Sequence, residues 1–195
     1  MSWKEEYTRK TVTPEQAVAI VKSGNRVGIP LGGECMDLTL ALCARKDELS
    51  GVEVYLYARG SDAPWLGEGW EDSFIIKSFY LNRSTRAMLD DKRGHYIPSL
   101  TAKWPPDLPD GRPEPRWEPV DVGMLVVSSP DENGYCSFGS SMWNKKTLVN
   151  GAKVVICGVE ESYIRTYGDN YINVSEIDHF VKNTPIPRGV PPWTL

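Results

Sequence analysis

The chain has 195 residues, of which 41% are hydrophobic and 25% charged, a composition typical of a single soluble globular domain. Its net charge of −4 and pI of about 5.3 argue against a protein that binds nucleic acid through a basic surface. No apolar run reaches the roughly 18 residues of a membrane span, and the charged stretch Met1 to Tyr7 lacks the apolar core of a secretion signal. We therefore expect a cytoplasmic protein with no membrane partner.

Helices and strands alternate through the first part of the chain. Thr13-Pro14-Glu15-Gln16 is a capping box, which predicts a helix that runs to Lys22. Arg26 to Leu31 is typical of a short buried strand and is followed by a second predicted helix, with apolar residues from Met36 to Leu49. Val52 to Tyr57 alternates between apolar and polar residues, which predicts the next strand.

The same alternation continues beyond this region. Further strands are predicted at 73–80, 120–127 and 154–158, and further helices at 84–89 and 144–151. Within the last two strands, Val122–Val127 and Val154–Cys157 are continuous apolar runs, as central parallel strands require. The sequence therefore predicts an α/β fold with a mainly parallel sheet covered by helices on both faces.

Two proline-rich segments interrupt the regular pattern. Residues 103–119 contain six prolines, which predict an extended surface excursion. Its Trp104 and Trp117 either fix this loop onto the domain or belong to a loop that covers a site or a partner chain. Residues 185–195 are predicted to form an extended strap that docks on another surface. We predict one domain over residues 1–195.

Cysteines and histidines give no pattern for a metal site. The four cysteines lie far apart without a C-x-x-C pair, which favours buried, reduced thiols. His95 and His179 are the only histidines, so the chain alone does not supply a multi-histidine centre, and we expect no metal. Both histidines are interpreted as surface or packing residues.

The first of three candidate loops follows the strand that starts at Arg26. It contains Gly32, Gly33 and Glu34, just before a predicted helix. Paired glycines allow backbone amides to approach a ligand, and a helix N-terminus favours negative charge. The loop is interpreted either as a site for a thioester oxyanion or a phosphate, or as a plain turn with a helix cap.

The second loop, 128–141, follows the most hydrophobic predicted strand. It contains two adjacent carboxylates, Asp131 and Glu132, and then the hydroxyl- and glycine-rich stretch from Ser137 to Gly139. This composition suits a surface that contacts a ligand. A polar turn in which Asp131 caps the following backbone explains it equally well.

The third loop, 160–169, follows the last predicted strand. Its arginine, Arg165, either pairs with Glu160 or Glu161 or faces an anionic ligand. No Ser/His/Asp or Cys/His arrangement accompanies any of the three loops.

Several sequence pieces occur in the order of a known family. They are Thr13–Val18 with Lys22–Val27, Asp121–Gly123 leading to Val127–Tyr135 and Ser137–Gly139, and Arg165–Asp169 with Ile172–Asp178. Together they resemble the N-terminal half of the acetyl-CoA hydrolase/transferase family, which includes the 4-hydroxybutyrate CoA-transferases. The resemblance implies a CoA-transferase-like (NagB/RpiA-like) domain that acts on an acyl-CoA, with coenzyme A as part of the substrate and no metal.

In this family a full enzyme has two such halves, fused or as separate subunits, and the nucleophilic glutamate belongs to the C-terminal half. Because this chain stops at Leu195, the resemblance implies a second CoA-transferase-like subunit and a hetero-oligomer. In this chain the acyl end of a shared cleft is then expected to contain Gly32, Gly33, Glu34, Ser137 and Gly139, with Arg165 as a further substrate contact. Glu34 and Glu132 are the candidate catalytic residues of this chain. In the acyl-enzyme mechanism, the glutamate attacks the thioester.

Other readings of the site and of the function stay open. Glu132-Asn133-Gly134 resembles the nucleophile motif of heteromeric CoA-transferases, although its neighbours fit the turn of the N-terminal half better. The alternative functions are acyl-CoA hydrolysis, decarboxylation or carbon–carbon cleavage on the same fold, and a non-catalytic scaffold or ligand-binding subunit.

Overall fold

The computed structural model describes residues 2–56, 63–98, 119–141 and 143–184. The α-helices in these ranges are Trp3–Lys10 (α1), Pro14–Val18 (α2), Met36–Cys43 (α3), Arg83–Asp90 (α4) and Lys145–Gly151 (α5). The strands in these ranges are Arg26–Ile29 (β1), Val52–Leu56 (β2), Phe74–Ser78 (β3), His95–Tyr96 (β4), Val122–Ser128 (β5), Tyr135–Ser137 (β6), Val154–Glu160 (β7), Tyr171–Asn173 (β8) and His179–Lys182 (β9). None of these helices is both long and apolar enough to cross a bilayer.

Seven strands form one parallel sheet in the order β4-β3-β2-β1-β5-β7-β9. β5 has a parallel neighbour on each side and all its residues are buried, which explains its continuous apolar sequence. β6 and β8 pair antiparallel in a separate two-stranded sheet. The predicted α/β fold with a mainly parallel sheet is confirmed.

Alternate residues of β5 contact different layers, because successive side chains of a strand point to opposite faces. Met124 and Val126 belong to the core that includes residues of α2 and α3. Leu125 and Val127 belong to the core that packs against α1 and the β6–β8 sheet. Layers therefore cover the central sheet on both faces.

The first two predicted helices end earlier than the sequence suggests. α2 stops at Val18 instead of Lys22, and α3 stops at Cys43, before the charged segment 45–48 that precedes Leu49. The Arg45 guanidinium, which follows α3, donates to the carbonyls of Val18 and Val21. The Val18 carbonyl also accepts from the Val21 amide at 3.0 Å, so a tight turn and a side chain from another segment together satisfy it after α2 ends.

α1 is a helix that the apolar pattern does not reveal, because none of its residues is fully buried. Its Trp3 indole donates to the carbonyl of Glu132 at 3.1 Å. The Tyr7 ring packs edge-on against Phe180 of β9, with 4.7 Å between the ring centroids. Contacts with residues more than a hundred positions away thus hold this helix on the sheet.

Both proline-rich predictions fall largely outside the described residues. The excursion at 103–119, with Trp104 and Trp117, lies outside them except for Pro119, and the strap at 185–195 lies outside them entirely. The extent of a single domain over residues 1–195 stays a prediction.

Candidate functional site

The loops that follow β1, β5 and β7 lie at one edge of the sheet. These strands are adjacent and parallel, so their carboxyl ends coincide. The loops also contact one another: the Tyr163 hydroxyl donates to the carbonyl of Gly32 at 3.1 Å, and the Thr166 hydroxyl donates to the carbonyl of Gly139 at 3.1 Å. The structure therefore brings together the three loops that the sequence singles out.

The Gly32–Gly33 turn lies directly against the second loop. Gly32 has a φ of +66°, and a Cβ there would be 2.6 Å from Ser141 Oγ. A Cβ on Gly33 would be 2.8 Å from Lys145 Cε. The Gly33 amide donates to the carbonyl of Pro30 at 3.2 Å, within the turn. Close approach of protein atoms accounts for both glycines.

A lysine and a tyrosine that the sequence analysis did not select lie behind this turn. Lys145, the first residue of α5, is fully buried. Its Nζ donates to the carbonyl of Phe138 at 2.6 Å and to the hydroxyl of Tyr163 at 2.7 Å. The available signal was its position, because a cation in the first turn of a helix opposes the helix dipole.

Ser137 connects the second and third loops from a fully buried position. Its Oγ accepts from the Gly139 amide at 3.1 Å and from Asn170 Nδ2 at 3.3 Å. Asn170 Nδ2 also donates to the carbonyl of Gly139 at 2.9 Å. The Ser137 hydroxyl is therefore engaged by protein groups at the base of the site.

Arg165 joins the third loop to the second. Its guanidinium lies 2.9 Å from the carboxylate of Asp131 and donates to Ser128 Oγ at 3.0 Å. Of the two alternatives for Arg165, the pairing with Glu160 or Glu161 is not the one found, because the turn after β5 brings Asp131 against the arginine. About a third of the Arg165 side chain is exposed.

Glu160, at the end of β7, belongs to a buried polar chain. Its carboxylate accepts from Asn183 Nδ2 and from the Ser162 hydroxyl, each at 3.2 Å. The Cys35 thiol donates to Asn183 Oδ1 at 3.1 Å. A cavity of about 470 Å³, lined in part by Ser162 and Asn183, adjoins this chain. These residues come from separate segments, which is why no local motif reveals them.

The two candidate carboxylates of the second loop have different environments. Asp131 Oδ1 accepts from the amides of Asn133 and Tyr135, both at 2.9 Å, as expected for a polar turn. The side chain of Glu132 is exposed at the tip of this turn, and its carbonyl accepts from the Trp3 indole. The turn interpretation of this segment is therefore confirmed.

Glu34 is the candidate carboxylate that lies on the glycine turn itself. Its side chain is half-buried, between Gly33 and Cys35. Burial raises the pKa of the Cys35 thiol to about 12, so this cysteine is neutral at physiological pH. Among the described residues, no three His, Cys, Asp or Glu side chains form a group that could bind a metal ion.

Comparisons with known proteins give consistent matches. Residues 1–189 match the family model described as the acetyl-CoA hydrolase/transferase N-terminal domain. The chain is 34% identical to the 4-hydroxybutyrate coenzyme A transferase of Clostridium kluyveri over 98% of its own length and 44% of that relative.

Solved structures show the same fold. The crystal structure of RipA from Yersinia pestis superposes with a TM-score of 0.81 at 24% identity, covering 98% of this chain and 47% of that one. The 4-hydroxybutyrate CoA-transferase from Porphyromonas gingivalis gives a TM-score of 0.66 at 24% identity, covering 93% and 41%. The chain thus spans less than half the length of these relatives.

Proposed function

The chain belongs to the acetyl-CoA hydrolase/transferase family, and we propose that it is one subunit of a heteromeric CoA-transferase-like enzyme that acts on an acyl-CoA thioester. The observation that carries this proposal is the meeting of the loops after β1, β5 and β7 at one sheet edge. This edge belongs to a chain that corresponds to less than half of its relatives. In this proposal, a second CoA-transferase-like subunit supplies the rest of the site.

The proposed reaction is covalent catalysis by a glutamate of the second subunit. The carboxylate attacks the thioester carbonyl, and CoA leaves as a thiolate. The thiolate attacks the resulting acyl-glutamyl anhydride, which releases the first carboxylate product and leaves a glutamyl-CoA thioester. An acceptor carboxylate reverses these steps to form the new acyl-CoA, whereas attack by water releases free CoA.

In this chain, Gly32, Gly33 and Glu34 line the acyl end of the proposed cleft, because they form the turn at the carboxyl edge of β1. Ser137 and Gly139 belong to the second loop of the same edge, where Asn170 and the Gly139 amide hold the Ser137 hydroxyl in place. Arg165 is a further substrate contact on the neighbouring loop, where about a third of its side chain is exposed.

Exposed apolar side chains near this edge support a protein partner. Trp143, Ile164 and Tyr167 are 62%, 65% and 96% exposed, respectively. Trp143 precedes α5, and Ile164 and Tyr167 belong to the loop after β7, which an ion pair between Lys146 and Asp169 connects to α5. Aromatic residues are enriched at the centres of protein interfaces, so we assign this surface to the second subunit.

Co-expression with the product of a neighbouring gene that encodes a C-terminal half tests the proposal. The purified complex is assayed for acyl transfer from butyryl-CoA to labelled acetate, and each chain is assayed alone. Hydroxylamine trapping and mass spectrometry then locate the glutamyl thioester. We expect acyl transfer only when both chains are present. We also expect the hydroxylamine-modified glutamate to lie on the second subunit. Turnover by this chain alone, with a labelled Glu132 or Glu34, contradicts the proposal.

The reaction products separate the alternative activities. Free acid formed without an acceptor identifies a hydrolase, and release of carbon dioxide identifies a decarboxylase. An assembled complex with no turnover leaves this chain as a scaffold subunit. Each of these outcomes contradicts the transferase proposal.

Glu34→Gln tests the chain's own contribution to the site. We expect the variant to lower the kcat/KM of the complex roughly tenfold or more, because the turn then carries no charge at the acyl end. The control is Glu68→Gln, which changes an exposed carboxylate beside the short helix Pro64–Leu66. Equal activity of the two variants removes Glu34 from the site.

A further inference from the structure

The position of Lys145 carries two energetic costs for a charged amine. Its side chain is fully enclosed, and burial of an ammonium group is expensive even when it is paired. It is also the first residue of α5, where the positive end of the helix dipole disfavours a cation. A methionine would fill a similar volume without either penalty. The contacts of the amine must therefore offset both penalties.

Those contacts fix the direction of a hydrogen-bond chain. A protonated lysine can only donate, and Lys145 Nζ donates to the Tyr163 hydroxyl at 2.7 Å. The single hydrogen of this hydroxyl is then directed to the carbonyl of Gly32, 3.1 Å away. Lys145 Nζ also donates to the carbonyl of Phe138 at 2.6 Å. One amine thus connects the loops after β1, β5 and β7.

Two glycines lie directly against the side chains of this hydrogen-bond chain. A Cβ on Gly33 would be 2.8 Å from Lys145 Cε, and a Cβ on Gly139 would be 2.3 Å from Tyr163 Cε1. Both loops thus lie against these two side chains with no space for a larger residue. The Gly33 carbonyl in turn accepts from the Val126 amide of β5 at 2.9 Å, which ties the turn to the sheet.

We propose that Lys145 and Tyr163 form a pair that holds the Gly32–Gly33 turn in place, and that Lys145 is a positioning residue for the acyl end of the cleft. The second part of this inference rests on the proposed function. The first part, that the pair holds the turn in place, does not depend on the proposed function. The position of the turn can be measured without a substrate.

The direct test is amide hydrogen exchange of Val126, whose partner is the turn itself. Lys145→Met and Tyr163→Phe are each expected to speed exchange at Val126 at least tenfold, while the amides of Leu125 and Ile156 in the same sheet stay as protected as before. Lys22→Met, at an exposed position far from the edge, is the matched control. If exchange at Val126 is unchanged in both folded variants, the proposal that Lys145 and Tyr163 hold the turn is overturned.

A kinetic test in the co-expressed complex addresses the role in the site. Each single variant is expected to lower kcat about 10- to 100-fold, the effect of losing a hydrogen bond to a charged group, with KM changed less than threefold. The double variant is expected to lose no more than the worse single variant, since both changes break one chain. Additive effects, or wild-type kcat with lowered thermal stability, identify a merely structural lysine.

Chemical rescue separates the need for an amine from a packing defect. Lys145→Ala leaves a cavity that ethylamine or propylamine can occupy. Recovery of Val126 protection and of kcat with amine, but not with propanol, is expected. Equal effects of the amine and the alcohol overturn the role of the amine. If the wild-type complex is inactive, the proposed function fails, whereas the exchange measurements still decide the pair.

Discussion

Arg165 Nη2 lies 2.9 Å from Asp131 Oδ2, although the two residues belong to different loops at the carboxyl edge of the sheet. The same guanidinium donates to the carbonyls of Ser129 and Tyr135. One side chain of the loop after β7 thus fixes both ends of the turn between β5 and β6. The first prediction follows from this arrangement.

Arg165→Ala should destabilise the folded chain by about 1–2 kcal/mol. Hydrogen bonds to charged groups contribute more than neutral ones, but partial exposure of this guanidinium reduces their contribution. Urea unfolding measures the difference. Arg86→Ala, which removes an exposed arginine of α4, should change the stability by less than about 0.5 kcal/mol. Equal effects of the two variants would show that the Arg165 contacts are weak in solution.

The cysteines should be unreactive in the folded protein. All four are buried, and burial raises the pKa of Cys35, Cys43 and Cys136 to about 12 and that of Cys157 well above its usual value. A rise from 9.0 to about 12 lowers the thiolate fraction at neutral pH about a thousandfold. Titration with a disulfide reagent should detect no fast thiol before denaturation and four afterwards. One fast-reacting native thiol would contradict the burial.

Asp121→Asn should remove a pH-dependent part of the stability. Burial alone raises the pKa of Asp121, but hydrogen bonds from Lys153 Nζ and the Arg26 amide outweigh it and hold the pKa below its usual 3.8. The unfolded chain therefore binds the proton more readily, so this stabilisation is present above pH 3.8 and is lost as the pH falls through the native pKa.

The measurement for Asp121→Asn is urea unfolding at near-neutral and acidic pH. The variant should be less stable than the wild type at near-neutral pH, and the gap should narrow once the pH falls below 3.8. Asp47→Asn, at an exposed site, is the control for the loss of a surface carboxylate. A gap that stays constant with pH would assign the effect of Asp121→Asn to packing.

Lys92→Gly should stabilise the chain by about 0.5–1 kcal/mol. Lys92 follows α4 with a φ of +59°, where a glycine avoids the steric penalty of a side chain. The reciprocal change, Gly51→Ala, adds a Cβ at a φ of +63° with no atom within 4 Å, so it isolates the backbone cost. The thermal unfolding temperature should rise for Lys92→Gly and fall for Gly51→Ala. Shifts of the same sign would contradict this explanation.

The parts of the fold that the sequence predicts are those whose signal is local. The apolar runs of β5 and β7 predict central parallel strands, and the turn residues around Asp131 predict the polar turn that the structure contains. The collinear motifs also predict the family that the comparisons identify. In each of these, the residues that carry the signal are neighbours in the chain.

The features of the fold and of the site that the sequence does not predict depend on contacts between residues far apart in the chain. Arg45 bonds to the carbonyls of Val18 and Val21 where α2 ends, and β6 pairs with β8 across more than thirty residues. The link from Lys145 to Tyr163 also joins separate loops, so neither residue stands out in its own segment. Sequence patterns predict which loops meet, but the side chains that hold them together follow only from the completed fold.

The position of α1 has a consequence for synthesis on the ribosome. Trp3 and Tyr7 find their partners at Glu132 and Phe180, so the docking of α1 is incomplete until β9 has left the exit tunnel. Until then the helix is exposed to chaperones and proteases on the face that later packs against the sheet.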